Sequence, residues 1–411
     1  MDLFFTANNL ADILGVSFHT VDSWIRSGRF HLEKDEIDRL GFTYAQLQGI
    51  PEIDEMAFSE WENEMKVVPK KPYTAIELFA GGGGLALGIH KAGFKHVLLN
   101  EFDHNACETL RKNQPNWNVV EDDVHDVDFT QYEGKVDFLS GGFPCQAFSY
   151  AGEKRGFEDA RGTLFFELAR AVKETRPKVF MGENVKGLAS HDNGKTLQTI
   201  KDVIADLGYT LIEPKVLKAI KYMVPQKRER LILIAIRNDI APYVQFHWPA
   251  PYMKILTLRD AFYKGILYDC DVPQSSGQKY PARKREIMDM VPMGGDWRDL
   301  PEDVQVEYMK GSLKLEGGKT GVARRLSLDE PSLTLTCAPA MKQTERCHPL
   351  ETRPLTVREY ARIQTFPDDW EFAGKMDAQY KQIGNAVPVN LAWAIGRSLI
   401  RLFNEIEERG L

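Results

Sequence analysis

The sequence predicts an α/β protein with a largely parallel sheet covered on both faces by helices, a loop-rich second domain and a small helical extension at the N-terminus. Three observations predict it. Between residues 74 and 250, strand-length apolar runs ("TAIELFA", "HVLLNEF", "VDFLSGG", "KVFMGEN", "RLILIAI") alternate with amphipathic segments, the pattern of βαβ units. From about 255 to 345 that rhythm gives way to "QSSGQKYPARKREI", "VPMGGDWRDLP" and "KLEGGKTG", rich in Gly, Pro and charge. Residues 1–65 read as helices, and the two prolines of "VVPKKPY" (67–73) separate them from the first βαβ unit. The segments are therefore 1–65, 74–254, 255–345 and 346–411, with helical patterning returning at "RPLTVREYARI" (353–363).

The bulk composition narrows the function classes. The 411 residues are 43% hydrophobic and 27% charged, as in soluble globular proteins. No run approaches the ~18–20 apolar residues of a membrane span. The start, "MDLFFTANNLADILG", lacks the pattern of a signal peptide, so the cytoplasm is the expected location. A net charge of −7 argues against polyanion binding by the whole surface but leaves room for a basic cleft. Five widely spaced cysteines (107, 145, 270, 337 and 347) form no CxxC pair, so neither a metal site nor a disulfide framework is expected.

At the N-terminus, "TANNLADILGVSFHTVDSWIRSGRF" (6–30) reads as helix, Gly15 turn, Ser17 cap and second helix. Leu10, Ile13, Leu14, Val21, Trp24 and Ile25 form its apolar side. It resembles a helix-turn-helix of the excisionase and MerR-like kind. Two roles stay open: a docking domain, or a DNA reader that binds an operator or adds grip on substrate.

"TAIELFAGGGGLALGIHKAGF" is a strand, four glycines and a helix. Such a turn lets the backbone approach a ligand while the helix start offers free amides. Glu101 ends the next strand, where an acid suits a ribose diol, and Asp123 comes after the third strand, "NVV". The spacing is not G-x-G-x-x-G, so the pattern predicts an adenosine-containing ligand rather than a dinucleotide; glycines for tight packing are the alternative.

In "GGFPCQAFS" (141–149), Cys145 lies after the fourth strand on a loop bent by Gly141, Gly142 and Pro144. Arg155 and Arg161 lie in the same loop, and a thiol near arginines ionises readily to a nucleophile. Glu183 and Asn184 end the next strand, and burial there would suit the glutamate to general-acid work. In "VPQKRERLILIAI", alternation puts Gln226, Arg228 and Arg230 on one face, a costly arrangement unless they meet a ligand or an acid.

Together and in this order, these segments resemble the cytosine-specific DNA methyltransferases that form 5-methylcytosine. "ELFAGGGGLALG", "NEFDHNACETL", "DDV" (122–124), "GGFPCQAFS", "ENV" (183–185), "QKRER" (226–230), "RPLTVREYARIQTFPDDW" (353–370) and "QIGNAVPV" (382–389) each have a counterpart in that family. Glu77 and Asp122 depart mildly from it, standing where Asp and Gly are usual.

The resemblance implies a Rossmann-like, S-adenosylmethionine-dependent domain with a mixed, mostly parallel sheet that residues 346–411 rejoin. It implies a recognition domain at 255–345. It implies that S-adenosylmethionine is held by Phe79, Ala80, Gly81, Gly83, Leu85, Glu101, Phe102, Asp123, Val124 and Pro144, with Asn385 and Val387 closing the pocket. Cys145 would add to carbon 6 of a cytosine flipped out of duplex DNA. Glu183 would hold ring nitrogen 3, Arg230 would bind the carbonyl oxygen, and Arg228 would support that site. Gln146, Ser149, Arg161 and Gln226 are the expected DNA contacts. No metal is expected. The family further implies a monomer near the nucleoid that protects host DNA, with a cognate restriction endonuclease encoded nearby. The alternatives are a cytosine methyltransferase of RNA and a DNA-binding regulator with an inactive catalytic domain.

Overall fold

A computed structural model describes residues 3–35, 39–143, 164–314 and 319–411. Residues 1–65 contain the two expected helices, α1 (Ala7–Leu14) and α2 (Phe18–Arg26). The Thr6 side chain caps α1 by accepting from the Asn9 N–H, and Gly15 ends it at φ 73°. Ser17 caps α2 in the same way through the Thr20 N–H. Leu10, Ile13 and Val21 are buried as expected, while Leu14, Trp24 and Ile25 are half-buried.

Sequence reading missed the small sheet that accompanies these helices. Strands β1 (Phe4–Phe5), β2 (Glu33–Lys34) and β3 (Leu40–Thr43) pair antiparallel in the order β1-β3-β2. Strands of two to four residues are too short to show a period of two. Three short helices complete the domain: α3 (Tyr44–Leu47), α4 (Pro51–Ala57) and α5 (Trp61–Glu64).

The catalytic segment forms the expected sheet. Its elements in chain order are β4 (Tyr73–Leu78), α6 (Gly84–Ala92), β5 (Phe94–Glu101), α7 (His104–Asn113), β6 (Val119–Glu121), β7 (Phe138–Gly142), α8 (Leu164–Thr175), β8 (Val179–Val185) and α9 (Lys195–Asp206). Next come β9 (Tyr209–Leu211), β10 (Lys215–Lys218), β11 (Gln226–Lys227) and β12 (Glu229–Arg237). The sheet order is β10-β12-β8-β7-β4-β5-β6, with β9 also on β12. All pairs from β6 to β8 are parallel, and only those of β12 are antiparallel. The uninterrupted apolar run Leu231–Ile236 is buried throughout, as a strand covered on both faces requires.

Beyond residue 254 lie α10 (Leu258–Phe262), α11 (Ala282–Asp289), α12 (Glu302–Met309), β13 (Ser332–Leu333), α13 (Val357–Ile363), α14 (Met376–Asn385) and α15 (Val389–Glu408). The expected recognition segment divides. Tyr280, Ile287, Met288, Val291, Leu300, Val304 and Ala323 share a small core with Cys347. Leu258, Phe262, Leu326 and Leu335 pack instead with α13, Phe366 and Tyr380. The chain stays tied to the catalytic body through Tyr268, Cys270 and Gln278, and packs with it again from Leu326, while Cys347 still belongs to the small core.

α15 returns to the first strand of the sheet, as expected. The Tyr73 ring lies 5.2 Å from Phe403, and its hydroxyl donates to Asn404 Oδ1 at 2.9 Å. α15 can approach α6 because Gly88 lacks a Cβ, which would stand 2.4 Å from that of Ala392. This return brings residues 384–387 to the edge of the sheet where β4, β5, β7 and β8 end.

Candidate active site

At that edge opens a cleft of about 720 Å³. One wall grows from β4. After Leu78 the chain turns through Phe79 at φ 58° and Gly81 at φ 54°, and Gly83 at φ 88° caps α6. A bulky residue with positive φ is rare and costs about 1–3 kcal/mol, a strain often held at ligand sites. Glu101, at the end of β5, braces the turn. Its Oε2 accepts from the Gly81 N–H at 2.7 Å, and Oε1 accepts from the N–H groups of Phe102 and Asp103 at 2.9 and 2.7 Å.

The glycines divide their work. A Cβ on Gly81 would meet nothing within 4 Å, because this residue faces the open cleft. A Cβ on Gly84 would lie 2.3 Å from the Val387 carbonyl oxygen, so this glycine seats the C-terminal segment. Tight packing is therefore realised at Gly84, while Gly81 leaves open space in the cleft.

The opposite wall is built of buried charge. Glu183 on β8 takes the Nε of Arg230 at 2.7 Å, and each side chain is 11% exposed. Gly142 backs the pair, since a Cβ there would come 2.9 Å from Glu183 Oε2. Burial raises the Glu183 pKa against the opposing pull of Arg230 and Arg228. Burial likewise pulls the Arg228 guanidinium down to about 9.

Arg228 is 2% exposed and ties three segments together. It donates to the carbonyls of Leu335 at 3.3 Å, Gly384 at 3.0 Å and Asn385 at 3.3 Å. Asn385 Oδ1 also accepts from Cys337 Sγ at 3.1 Å. Asn385 and Val387 line the cleft together with Phe79, Ala80, Gly81, Leu85, Glu101, Glu183, Arg228 and Arg230, bringing ten of the expected site residues into one cavity.

The match to known proteins decides the family. Residues 73–401 fit the family model described as C-5 cytosine-specific DNA methylase. The chain belongs to the C-5 cytosine-specific DNA methylases. A relative in Escherichia coli, "Type II methyltransferase M.Eco47II", is 63% identical over 98% of this chain and 97% of its own length. "Type II methyltransferase M.PspPI" of Psychrobacter sp. (strain TA137) is 59% identical over 98% and 97%. The fold matches the solved structure of the S. pombe Dnmt2 methyltransferase with a TM-score of 0.52 at 18% identity, over 83% of this chain and 100% of that one. The methylase transfers a methyl group to carbon 5 of cytosine in DNA and uses S-adenosylmethionine.

The cleft suits that cofactor. Gly81 leaves backbone space, and three amides use only part of the roughly four acceptor positions of Glu101, leaving room for a ribose hydroxyl. Phe102 is 74% exposed beside it, an open ring face for a base.

Other expected residues lie outside this cavity. Gly83 forms the helix cap, where its Cβ would strike Leu110 and Trp370 at 2.8 Å. Asp123 caps a short turn by accepting from the His125 N–H, and the carbonyl of buried Val124 takes Arg170 at 2.7 Å. Pro144, Cys145, Gln146, Ser149, Arg155 and Arg161 lie outside the described residues.

Gln226 requires a correction. The expected DNA contact is fully buried. Its amide donates to Gln364 Oε1 and accepts from the Leu335 N–H, both at 2.9 Å. Alternation put it on the face of Arg228, but its side chain is taken up by Gln364 and the Leu335 backbone. Gln226 therefore joins the recognition segment to α13 and exposes no atom to DNA.

Sequence reading also missed rim residues. Lys381 pairs with Asp103 at 3.0 Å, and Gln382 accepts from Thr109 at 2.6 Å, joining α14 to α7. Thr334, Thr336 and Cys337 line the mouth. Only "QIGNAVPV" carried a signal for this wall; an unpatterned stretch such as "TLTC" gives none.

Proposed function

We propose that the two walls divide the reaction, the glycine turn and Glu101 holding the cofactor while Glu183, Arg230 and Arg228 hold a cytosine flipped out of the duplex. The observation that carries this reading is the buried Glu183–Arg230 pair, which faces the same cavity as Gly81. Burial raises the proton affinity of the Glu183 carboxyl, which suits it to exchange a proton with ring nitrogen 3, and Arg230 offers donors to the carbonyl oxygen. The Cys145 thiolate adds to carbon 6; the carbon–sulfur bond forms as the ring electrons move toward nitrogen 3, which Glu183 protonates. Bound S-adenosylmethionine supplies the electrophilic methyl group. Loss of the carbon 5 proton to water then expels the Cys145 thiolate, and ring nitrogen 3 returns its proton to Glu183 as the ring is restored.

Arg228 acts at one remove, fixing Gly384 and Asn385 against the cleft. Residues between 262 and 326 read the target sequence in the duplex. The Type II relatives support a role in restriction-modification. A cognate endonuclease encoded nearby and action as a monomer complete this reading.

Residues 1–65 serve as a docked brace. They carry thirteen acidic and four basic residues, a poor charge balance for a DNA reader. They sit on lysines of the catalytic body. Lys218 donates to the carbonyls of Asp12 and Ile13 at 3.1 and 2.7 Å, Lys227 pairs with Asp12 at 2.8 Å, and Lys221 pairs with Glu55 at 3.0 Å. Operator binding through α2 is the competing role.

Labelled S-adenosylmethionine, offered with duplex DNA or transfer RNA, tests the reading. Label in DNA that disappears with Cys145→Ser supports it; label in transfer RNA alone overturns it. Deleting residues 1–65 should lower thermal stability. Specific promoter binding by the intact protein, lost on that deletion, would favour the operator role instead.

A further inference from the structure

The segment between residues 262 and 326 carries an exposed arginine that is held by a buried acid. Asp296 is buried, its side chain 3% exposed, and it grips Arg298, whose side chain is 60% exposed. Asp296 Oδ1 accepts from Arg298 Nε at 2.9 Å and from its backbone N–H at 3.0 Å; Oδ2 accepts from the second terminal nitrogen at 2.6 Å. Arg324 approaches the same Oδ2 at 3.4 Å. Asp299 in turn accepts from the Asp296 N–H at 2.8 Å, which fixes the gripping residue itself.

This grip occupies the side edge of the guanidinium, formed by Nε and one terminal nitrogen. Among the described residues no partner takes the end edge, with its two parallel N–H donors, and the carboxylate grip points it. Two parallel donors match the O6 and N7 acceptors on the major-groove edge of guanine. An arginine whose rotamer is already fixed also loses less entropy on binding than a free one.

The loop bearing Arg298 is tied to the mouth of the cleft by a chain of short links. Thr336 at the mouth meets Thr344 side chain to side chain at 3.2 Å. The neighbouring Glu345 N–H donates to the Gly321 carbonyl at 2.9 Å. The 321–325 segment then pairs with the 295–297 loop, Arg325 N–H to Gly295 at 3.1 Å and Trp297 N–H to Val322 at 3.3 Å. These links connect the loop that bears Arg298 to the mouth of the cleft.

We propose that Arg298, aimed by Asp296, reads a guanine of the target sequence through the major groove. This rests on the reading of this segment as the sequence-reading part, and the test separates the two. The wild-type target is first found by bisulfite sequencing of methylated plasmid. Each guanine of that site is then replaced singly by 7-deazaguanine, which lacks the N7 acceptor. For wild type, kcat/KM should fall roughly tenfold at one guanine.

Arg298→Ala should lower kcat/KM by a similar factor on the normal site and should be indifferent to 7-deazaguanine at that one position. It should also relax discrimination at that base pair, and Arg298→Lys should not restore it. Cofactor binding within twofold of wild type shows that the variant is folded. Asp296→Asn should blur discrimination at the same base pair. If Arg298→Ala keeps full discrimination and the same analogue profile, the assignment of Arg298 is overturned. If wild type methylates no duplex DNA, the proposed function fails instead.

Discussion

The two walls of the cleft hold their shape by different means. The cofactor wall is mostly backbone: a strained Phe79, glycines with positive φ and three amides gathered on Glu101. The base wall is side-chain charge held out of water, Glu183 against Arg230 with Arg228 behind. A backbone cradle gives shape and amide donors at the entrance of a helix. Buried charge shifts proton affinity, which general-acid work needs. The difference explains why one wall reads as glycines in the sequence and the other as scattered polar residues.

Substitutions that separate the walls sharpen this comparison. The largest effect is expected for Cys145→Ser, which should leave no methyl transfer above background while cofactor affinity, measured by calorimetry, stays near wild type. Within the cofactor wall, Gly84→Ala puts a Cβ 2.3 Å from the Val387 oxygen. Overpacking of that kind costs about 1–3 kcal/mol, so thermal unfolding should shift down. Gly81→Ala meets no neighbour but is strained at φ 54°, so cofactor affinity should fall together with a modest loss of stability.

A smaller loss is expected for Glu101→Gln, about tenfold in KM for the cofactor with kcat little changed, as for removal of one charged hydrogen-bond acceptor. Steady-state kinetics at saturating DNA would show it, and an equal fall in kcat would move Glu101 from binding to chemistry.

The smallest effect lies beneath the cofactor wall. His96 is buried 3.8 Å from Glu77, and burial pulls its pKa down from 6.5 to about 3. The unfolded chain therefore binds the extra proton between those values, and stability falls as pH drops through that window. It is fully present above pH 6.5. His96→Leu should flatten the loss of stability in urea titrations between roughly pH 7 and 5.

Much of this was legible in the sequence where local chemistry repeats. Most strands of the sheet carry apolar runs; Gly81, Glu101 and Glu183 come at or after the ends of such runs, and Arg230 begins one. Less legible was what long-range packing decides. Gln226 had the right alternation to face a ligand, yet Gln364 and the Leu335 backbone, over a hundred residues later in the chain, take up its side chain. The three-stranded sheet of residues 4–43 was too short to leave a periodic trace. Lys381 and Gln382 reach the rim only because α14 folds back onto α7, and no spacing announces that.

The division between the walls is tested most directly by single-turnover methyl transfer with Glu183→Gln, alongside its cofactor dissociation constant. Transfer is expected to fall at least about a hundredfold, the size of a lost general acid, with cofactor affinity within twofold of wild type. A fall in affinity that accounts for the whole loss, or transfer at the wild-type rate, would contradict that division.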